Sequence, residues 1–333
     1  MTDLTLSVDQ IRALAAECLI RHGCNETNAN AVATTIAHAE RDGCHSHGLM
    51  RLAGYVAALD SGKVNGHANP RTMQIAPAVL RVDGDGGFAP LALAESRDEF
   101  IALTQHTGIA AMGIANTHHF AALWAEVEPL ATAGLCAMAC VSYKPAVIPA
   151  GGQQPLYGTN PMAFGWPRKD APPVLFDQAS AVMARGEVML AAREGHTLPE
   201  GVGVDKAGQP TTDPNAILDG ALLAFGGHKG SSIAMMIELL AGPLIGEVLS
   251  LEAAANDNND GGPPRGGEFL LAMDPSRFGD ADGWADHAEA LFARISAQPG
   301  ARLPSSRRYE ARATALRNGV EISRAVHDKI RAL

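Results

Sequence analysis

The amino-acid sequence predicts a mixed α/β protein of the α+β kind, and three observations carry that expectation. Apolar residues recur at helical spacing through the first sixty residues; from residue 78 onward, short apolar strand-like runs alternate with helical ones. The third is the glycine-rich turn Gly84-Asp85-Gly86-Gly87-Phe88-Ala89, which matches G-x-G-x-x-A after a strand-like run. A dinucleotide-binding βαβ unit needs an acidic residue at the end of the next strand, about 20 residues on, and the segment Ile109–Ala115 ends instead in Asn116-Thr117-His118-His119. A plain strand-to-helix turn is therefore expected there.

In chain order, Ser7 opens a helix-start pattern, and Ile11, Leu14, Ala15, Cys18 and Leu19 form one apolar face ending at Gly23. Asn25–Asn28 can cap a second helix, read over Ala29–Ala39, and Leu52, Tyr55, Val56 and Leu59 mark a third. Ala78–Asp83 reads as a strand, Pro90–Thr104 as a helix, Ile109–Ala115 as a strand and Asn116–Trp124 as the start of a short helix capped by Thr117, with main-chain N–H groups free for a phosphate. Leu135–Ser142 and Val174–Asp177 read as buried strands, and residues 195–212 as a turn-rich exposed stretch. Glycines and Lys229 before an apolar helix over Ile233–Leu244 suit an anion, although they do not fit a Walker loop. Residues 253–267 read as a mobile polar loop, Glu268–Met273 as a returning strand and Trp284–Ser296 as a helix.

Composition narrows the function. The chain has 333 residues, 47% hydrophobic and 19% charged, with a net charge of −10, which suits a soluble globular protein and argues against nucleic acid or an anionic membrane as partner. The five cysteines (18, 24, 44, 136 and 140) are odd in number with no C-x-x-C pair, so reduced thiols and a cytoplasmic location are expected. The N-terminus lacks a secretory pattern and no apolar run reaches membrane-spanning length.

Chemistry concentrates in Glu40–Arg51, where Cys44, His45, Ser46, His47 and Arg51 gather around two glycines. Ser46 and His47 fall in a turn opening a helix, and Arg51 lies one helical turn after His47, placed to fork onto a substrate carboxylate while the imidazole faces the reacting centre. The plainer reading makes Ser46 a helix cap, His47 a first-turn residue and Arg51 a solvated charge. A second cluster is Arg302, Arg307 and Arg308, which in so acidic a chain suggests phosphate, against the alternative of a solvated charge run.

Ser46-His47-Gly48-Leu49-Met50-Arg51 resembles the Ser-His-Gly-x-x-Arg signature of the malate/L-lactate dehydrogenase-like family of NAD(P)-dependent oxidoreductases. The resemblance continues through Asn116–Trp124, Gly158-Thr159-Asn160-Pro161, the strand ending in Asp177, and Arg302-Leu303-Pro304 with Arg307-Arg308, from about residue 8 to 325. Within the family, residues 116–167, 183–186, 191–195 and 226–230 look most like the Δ1-piperideine-2-carboxylate/Δ1-pyrroline-2-carboxylate reductases.

That resemblance implies a fold, a reaction and a set of site residues. The implied fold is non-Rossmann, with a largely antiparallel sheet binding the cofactor in a central domain (76–290). Helical segments 1–75 and 291–333 flank it, and the implied assembly is a homodimer. The implied substrate is a small cyclic imino acid, reduced at the expense of NADPH, with NADH a weaker alternative. By the same resemblance, His47 donates the proton in a relay with Ser46 and the acid after Ala-x-Gly, which is Glu187 here, one methylene longer than the aspartate of the piperideine enzyme. Arg51 and Thr159 are implied to hold the substrate carboxylate. The implied cofactor contacts fall on His119, Phe120, Ala121, Ala122, Leu123, Asp177, Gln178, Ala179, His228, Lys229, Arg302, Arg307 and Arg308, and no metal is implied. Ser142-Tyr143-Lys144 departs from the Asn-Ser that relatives often carry, which bears on pocket size.

Two alternatives stand beside this reading. One is a 2-hydroxyacid dehydrogenase of malate, lactate or ureidoglycolate type on the same scaffold; the other is a metal-dependent hydrolase built on Cys44, His45, His47, His118 and His119.

Overall fold

The computed structural model describes residues 3–120 and 122–333. The N-terminal helices form as the apolar spacing requires. Helix Val8–Arg21 starts at a capping box in which Ser7 and Gln10 satisfy each other's backbone N–H groups, and helix Glu26–Arg41 starts at Asn25. Their apolar faces pack with Leu52, Tyr55 and Val56 of helix Leu52–Asp60. Ala315, Val320, Ile322 and Ile330 from the far end of the chain complete the same core. Strand Leu4–Leu6 pairs antiparallel with Val320–Ile322, fastening the two ends together.

The central layer is a seven-stranded mixed sheet, in spatial order Arg71–Ala76, Val79–Asp83, Ile109–His118, Arg265–Met273, Cys136–Val141, Met162–Trp166 and Val174–Gln178. Val79–Asp83 and Ile109–His118 run parallel, joined by helix Ala89–Thr107, and the other neighbours in the sheet pair antiparallel. Helix Ala89–Thr107 and helix Trp124–Thr132 bury their apolar faces on this sheet. A smaller four-stranded sheet, with Ala221–Leu223 inside it and Val147–Ile148 at its edge, builds a separate core with helices Arg185–Glu194 and Pro214–Asp219. Among the described residues, no helix is long and apolar enough to cross a membrane.

Four local expectations need correction. Asn116-Thr117-His118 does not open a helix: it finishes the strand Ile109–His118, and the helix begins at Trp124. Thr117 and His118 pair in register with Gly266 and Arg265, Asn116 N donates to the Glu247 carboxylate and His118 N to Gly87 O, and the Thr117 hydroxyl donates to Gly266 O (3.3 Å) rather than capping. The helix after Gly227 starts at His228, so His228 and Lys229 occupy its first turn instead of preceding it. The segment read as a mobile loop is tied down: Lys63 pairs with Asp257 (3.0 Å) and Asp260, Lys144 pairs with Asp257 (2.7 Å), and Arg265 already belongs to a strand. A boundary at residue 290 would cut helix Trp284–Ser296, whose Trp284 packs edge-on against Trp166 of the central sheet.

The G-x-G-x-x-A turn is a strand-to-helix turn. Its amides are consumed internally: Gly84 N donates to Ala115 O, Gly86 N to Asn116 O (both 2.9 Å), Gly87 N to Gly84 O and Asp85 N to the Asp83 carboxylate. None of these four N–H groups is left for a pyrophosphate.

Candidate active site

Helix Glu26–Arg41 delivers the chain into two short 3₁₀ turns, His45–His47 and Leu49–Arg51, before helix Leu52–Asp60. The buried Glu40 carboxylate organises them, accepting from Leu49 N (2.7 Å) and lying 2.5 Å from His45 Nδ1. A Cβ at Gly48 would stand 2.0 Å from Glu40 Oε1, so only glycine lets the turn close over this carboxylate. The hydrogen bond to Glu40 raises the His45 pKa, so Glu40 favours the charged ring beside it.

Around that clasp the reactive groups are ordered. Ser46 Oγ lies 3.0 Å from His47 Nδ1. Arg51 Nε donates to Ser46 O (2.6 Å) and its guanidinium lies 5.0 Å from the Phe120 ring centroid, leaving its terminal nitrogens for a ligand. Phe120 in turn packs edge-on against Tyr55, joining the N-terminal core to the site. Gly186, in the first turn of helix Arg185–Glu194, brings its backbone against Ser46 and Arg51: its Cβ position is 3.7 Å from Ser46 Cβ and 3.9 Å from Arg51 Nη2. Glu187 follows on that turn with its side chain exposed, and no hydrogen bond joins it to Ser46 among the described residues.

Burial first, then the Arg51 charge, push the His47 pKa down to about 4, and Glu126 is the carboxylate that opposes them. His38 behind the turn is pushed down to about 4 by burial and Arg41. Both folded values lie below the ordinary 6.5, so the unfolded chain takes up protons first as pH falls. Stability contributed by these histidines is full above pH 6.5 and is lost toward pH 4. The urea midpoint of the ligand-free protein is expected to fall over that interval, and less steeply in His38→Gln; equal slopes would refute the assignment.

Thr159 is half-buried, and its carbonyl accepts from Ser180 N (2.8 Å). The wholly buried Asn160 beside it donates to Ala234 O (2.9 Å) and Glu238 (2.8 Å), fixing the Thr159 backbone.

The cofactor candidates fall into three groups. His119, Phe120, Ala122 and Leu123 are buried, with the Leu123 side chain in the sheet core, so only its main chain is left to face a ligand; Ala121 lies outside the described residues. Asp177, at the end of its strand, accepts from Trp124 N (3.2 Å), and burial pushes its pKa up to about 6; Gln178 beside it is exposed and Ala179 half-buried. Arg308 lies over the Trp124 ring (4.6 Å to the centroid), and its charge reaches Asp177 and Cys44. Its Nε is buried without a partner. Arg302 and Arg307 are exposed, as are His228 and Lys229 in the first turn of their helix, beside a glycine-rich cavity of about 440 Å³ lined in part by Gly226 and Gly227. An orphaned guanidinium nitrogen, exposed cations and a helix N-terminus behind two glycines are each suited to a phosphorylated ligand, although among the described residues no contact joins the Arg308 group to the His228 turn.

Other contributors escape motif reading but carry a signal in the sequence, a lone acid in an apolar run. Glu268 heads the apolar run Glu268–Met273, and Glu238 is the sole charge in Ile233–Leu244; both are buried in the site's framework, as is Glu126. The five side chains of the hydrolase alternative are not brought together. His45 is held by Glu40, His118 Nδ1 sits 3.3 Å from Pro263 O, and His119 Nε2 sits 2.7 Å from Glu126.

Residues 6–331 match the malate/L-lactate dehydrogenase family. Δ1-Pyrroline-2-carboxylate reductase of Ancylobacter novellus is 49% identical over 98% of this chain and 97% of its own, and the Δ1-pyrroline-2-carboxylate/Δ1-piperideine-2-carboxylate reductase of Pseudomonas aeruginosa is 48% identical over 99% of each. The crystal structure of Δ1-piperideine-2-carboxylate reductase from Pseudomonas syringae pathovar tomato superposes with a TM-score of 0.95 at 42% identity, covering 99% of both chains. With its Ser-His turn, mixed central sheet and both terminal segments matched over nearly its whole length, the chain belongs to the malate/L-lactate dehydrogenase family.

Proposed function

We propose that this protein is an oxidoreductase that reduces a cyclic imino acid, Δ1-pyrroline-2-carboxylate or Δ1-piperideine-2-carboxylate, to the corresponding L-amino acid. The juxtaposition of His47, bonded to Ser46, with the forked cation of Arg51 carries this reading, supported by the reductase relatives. A bound nicotinamide cofactor supplies the hydride. The chain's own residues do the rest: Arg51 and Thr159 hold the carboxylate, which sets the neighbouring C=N bond against His47, and His47 places a proton on the ring nitrogen, without which the product would be a strongly basic amide anion. A carboxylate seated on Arg51 also offsets the charge that depresses His47 in the free protein, so substrate binding favours the donor form. Glu187 is read as the solvent-side acid that reloads the pair through Ser46. Cofactor oxidation measured side by side with pyrroline-2-carboxylate, piperideine-2-carboxylate, pyruvate and oxaloacetate tests this; faster turnover of the oxo acids would favour the 2-hydroxyacid dehydrogenase reading.

The cofactor in this proposal is NADPH in preference to NADH, held by the non-Rossmann, largely antiparallel central domain, because Arg302, Arg307, Arg308 and Lys229 are cations suited to a 2′-phosphate. Arg308→Glu is expected to raise KM for NADPH roughly tenfold or more while moving KM for NADH less; parallel changes would assign Arg308 to the pyrophosphate or the fold. Arg51→Lys keeps the charge and loses the fork, an expected cost of about 1.5–3 kcal/mol, or roughly one to two decades in kcat/KM. Unchanged kinetics would place the carboxylate elsewhere. A cytoplasmic homodimer completes the proposal, supported by the free cysteines and by Met235, Met236, Leu239 and Leu244 standing exposed together near one helix.

A further inference from the structure

Three buried side chains converge on one point: His119, one of the cofactor candidates above, and two carboxylates to which the proposed mechanism gives no role. His119, at the end of strand Ile109–His118, Glu126, on helix Trp124–Thr132, and Glu268, on strand Arg265–Met273, bring a ring nitrogen and two carboxylate oxygens within 4.8 Å of one another. They are 5%, 8% and 1% exposed, so water does not satisfy them. His119 Nε2 is 2.7 Å from Glu126 Oε1 and 3.6 Å from Glu268 Oε2. Glu268 follows a β-bulge after Gly266, a break in register of the kind that re-aims a side chain within a sheet.

The hydrogen bonding of this cluster has a gap. If both carboxyls are ionised, Glu126 Oε2 and both Glu268 oxygens are buried without a donor, and two like charges face each other out of water. A single proton removes most of this cost, because it converts the facing oxygens into a carboxyl–carboxylate hydrogen bond. Burial pushes both groups up. For Glu126 the hydrogen bond from Glu268 works against burial, whereas Glu268, deeper in the sheet, is raised further by the Glu126 charge, which favours one proton held between the two. The other titratable groups whose charge acts on this cluster or feels it are Arg97, Cys140, His47, Asp177 and Tyr55. Arg97 is the permanent cation among them, which suits one net negative charge on the pair.

We infer that Glu126 and Glu268 hold one proton between them and act as a positioning pair for His119, fixing it as the Nε2–H tautomer with Nδ1 presented as an acceptor. That Nδ1 is buried and has no protein partner. The ligand group it suits is therefore a hydrogen-bond donor, an amide or amine N–H, which either a nicotinamide carboxamide or a cyclic amine product provides. The pair acts through His119 and touches no reacting atom itself. The choice of ligands rests on the proposed reaction, whereas the shared proton and the tautomer stand without it, and their test requires no turnover.

The experiment uses the full-length protein with ¹³C-labelled glutamate and ¹⁵N-labelled histidine at pH 7.5. The infrared spectrum should contain the carbonyl stretch of a protonated glutamic acid, shifted by the label and absent in Glu268→Gln. Long-range ¹H–¹⁵N spectra should assign His119 the Nε2–H tautomer, and this preference should be lost in Glu126→Gln, where an amide can donate as well as accept. Titration with NADP⁺ and, separately, with L-proline then identifies which ligand shifts the Nδ1 resonance. Absence of the protonated-acid band in the wild-type protein, an Nδ1–H tautomer, or stoichiometric bound divalent metal in the purified protein would each overturn the inference, and no Nδ1 shift with either ligand would overturn the ligand assignment; the wild-type spectra decide it even if the variants do not fold.

Discussion

His47→Ala is expected to lose roughly 10²–10⁴-fold in kcat with the imino acid while the affinity for NADPH changes little, because the substitution deletes a positioned proton donor and leaves the cofactor cations in place. The geometry makes the prediction specific. His47 Nδ1 is engaged with Ser46 (3.0 Å), which leaves Nε2 as the nitrogen free to meet the substrate. Since burial and Arg51 depress His47 to about 4 in the free protein, the donor form depends on the substrate carboxylate reaching Arg51. Measured with saturating NADPH, kcat/KM in the wild type should therefore fall as pH rises, and Arg51→Lys should move that fall to lower pH. Glu187→Gln should be impaired chiefly at higher pH if Glu187 reloads His47; a profile identical to wild type over pH 6–9 would remove Glu187 and leave His47 standing. Near-normal turnover in His47→Ala would sink the mechanism.

The second large effect is expected at a residue distant from the chemistry. Arg312, on helix Ser306–Asn318, bridges Asp42 (2.6 Å) at the end of helix Glu26–Arg41 and Glu128 (2.7 Å) on helix Trp124–Thr132. Asp42 is wholly buried; burial raises its carboxyl, and the hydrogen bonds from Arg312 and Arg41 overcome that to hold it below the usual range. Arg312→Ala should cost about 3 kcal/mol in urea unfolding, toward the low end for breaking a buried pair, because Arg41 (2.6 Å) still reaches Asp42. Arg308 precedes Arg312 by one turn on the same helix, so KM for NADPH should rise as well. A stability change within about 0.5 kcal/mol of wild type, the range of an ordinary surface substitution, would show that the bridge does not hold the C-terminal segment in place.

The sequence by itself determined the helical opening, because an apolar face at Ile11, Leu14, Ala15, Cys18 and Leu19 can be buried in one way only, and it determined the Ser46-His47-x-x-x-Arg51 group, because residues within one or two turns are neighbours by local geometry alone. The family was legible for the same reason, its motifs being short and local. Tertiary contacts settled everything beyond that local reach. Asn116–His118 has turn-forming residues but becomes strand, since partners distant in the chain hold it extended: the Glu247 carboxylate and Gly87 O take the Asn116 and His118 amides, and Thr117 and His118 lie in register with Gly266 and Arg265. The polar stretch 256–262 lacks any local order signal, yet Lys63 and Lys144 bind its aspartates. The neutral state of His47 depends on burial and on charges brought from other elements, and the encounter of Glu126 with Glu268 depends on sheet register. Neither spacing nor composition encodes these, because desolvation and through-space charge act on distance in the folded chain and not on separation along it.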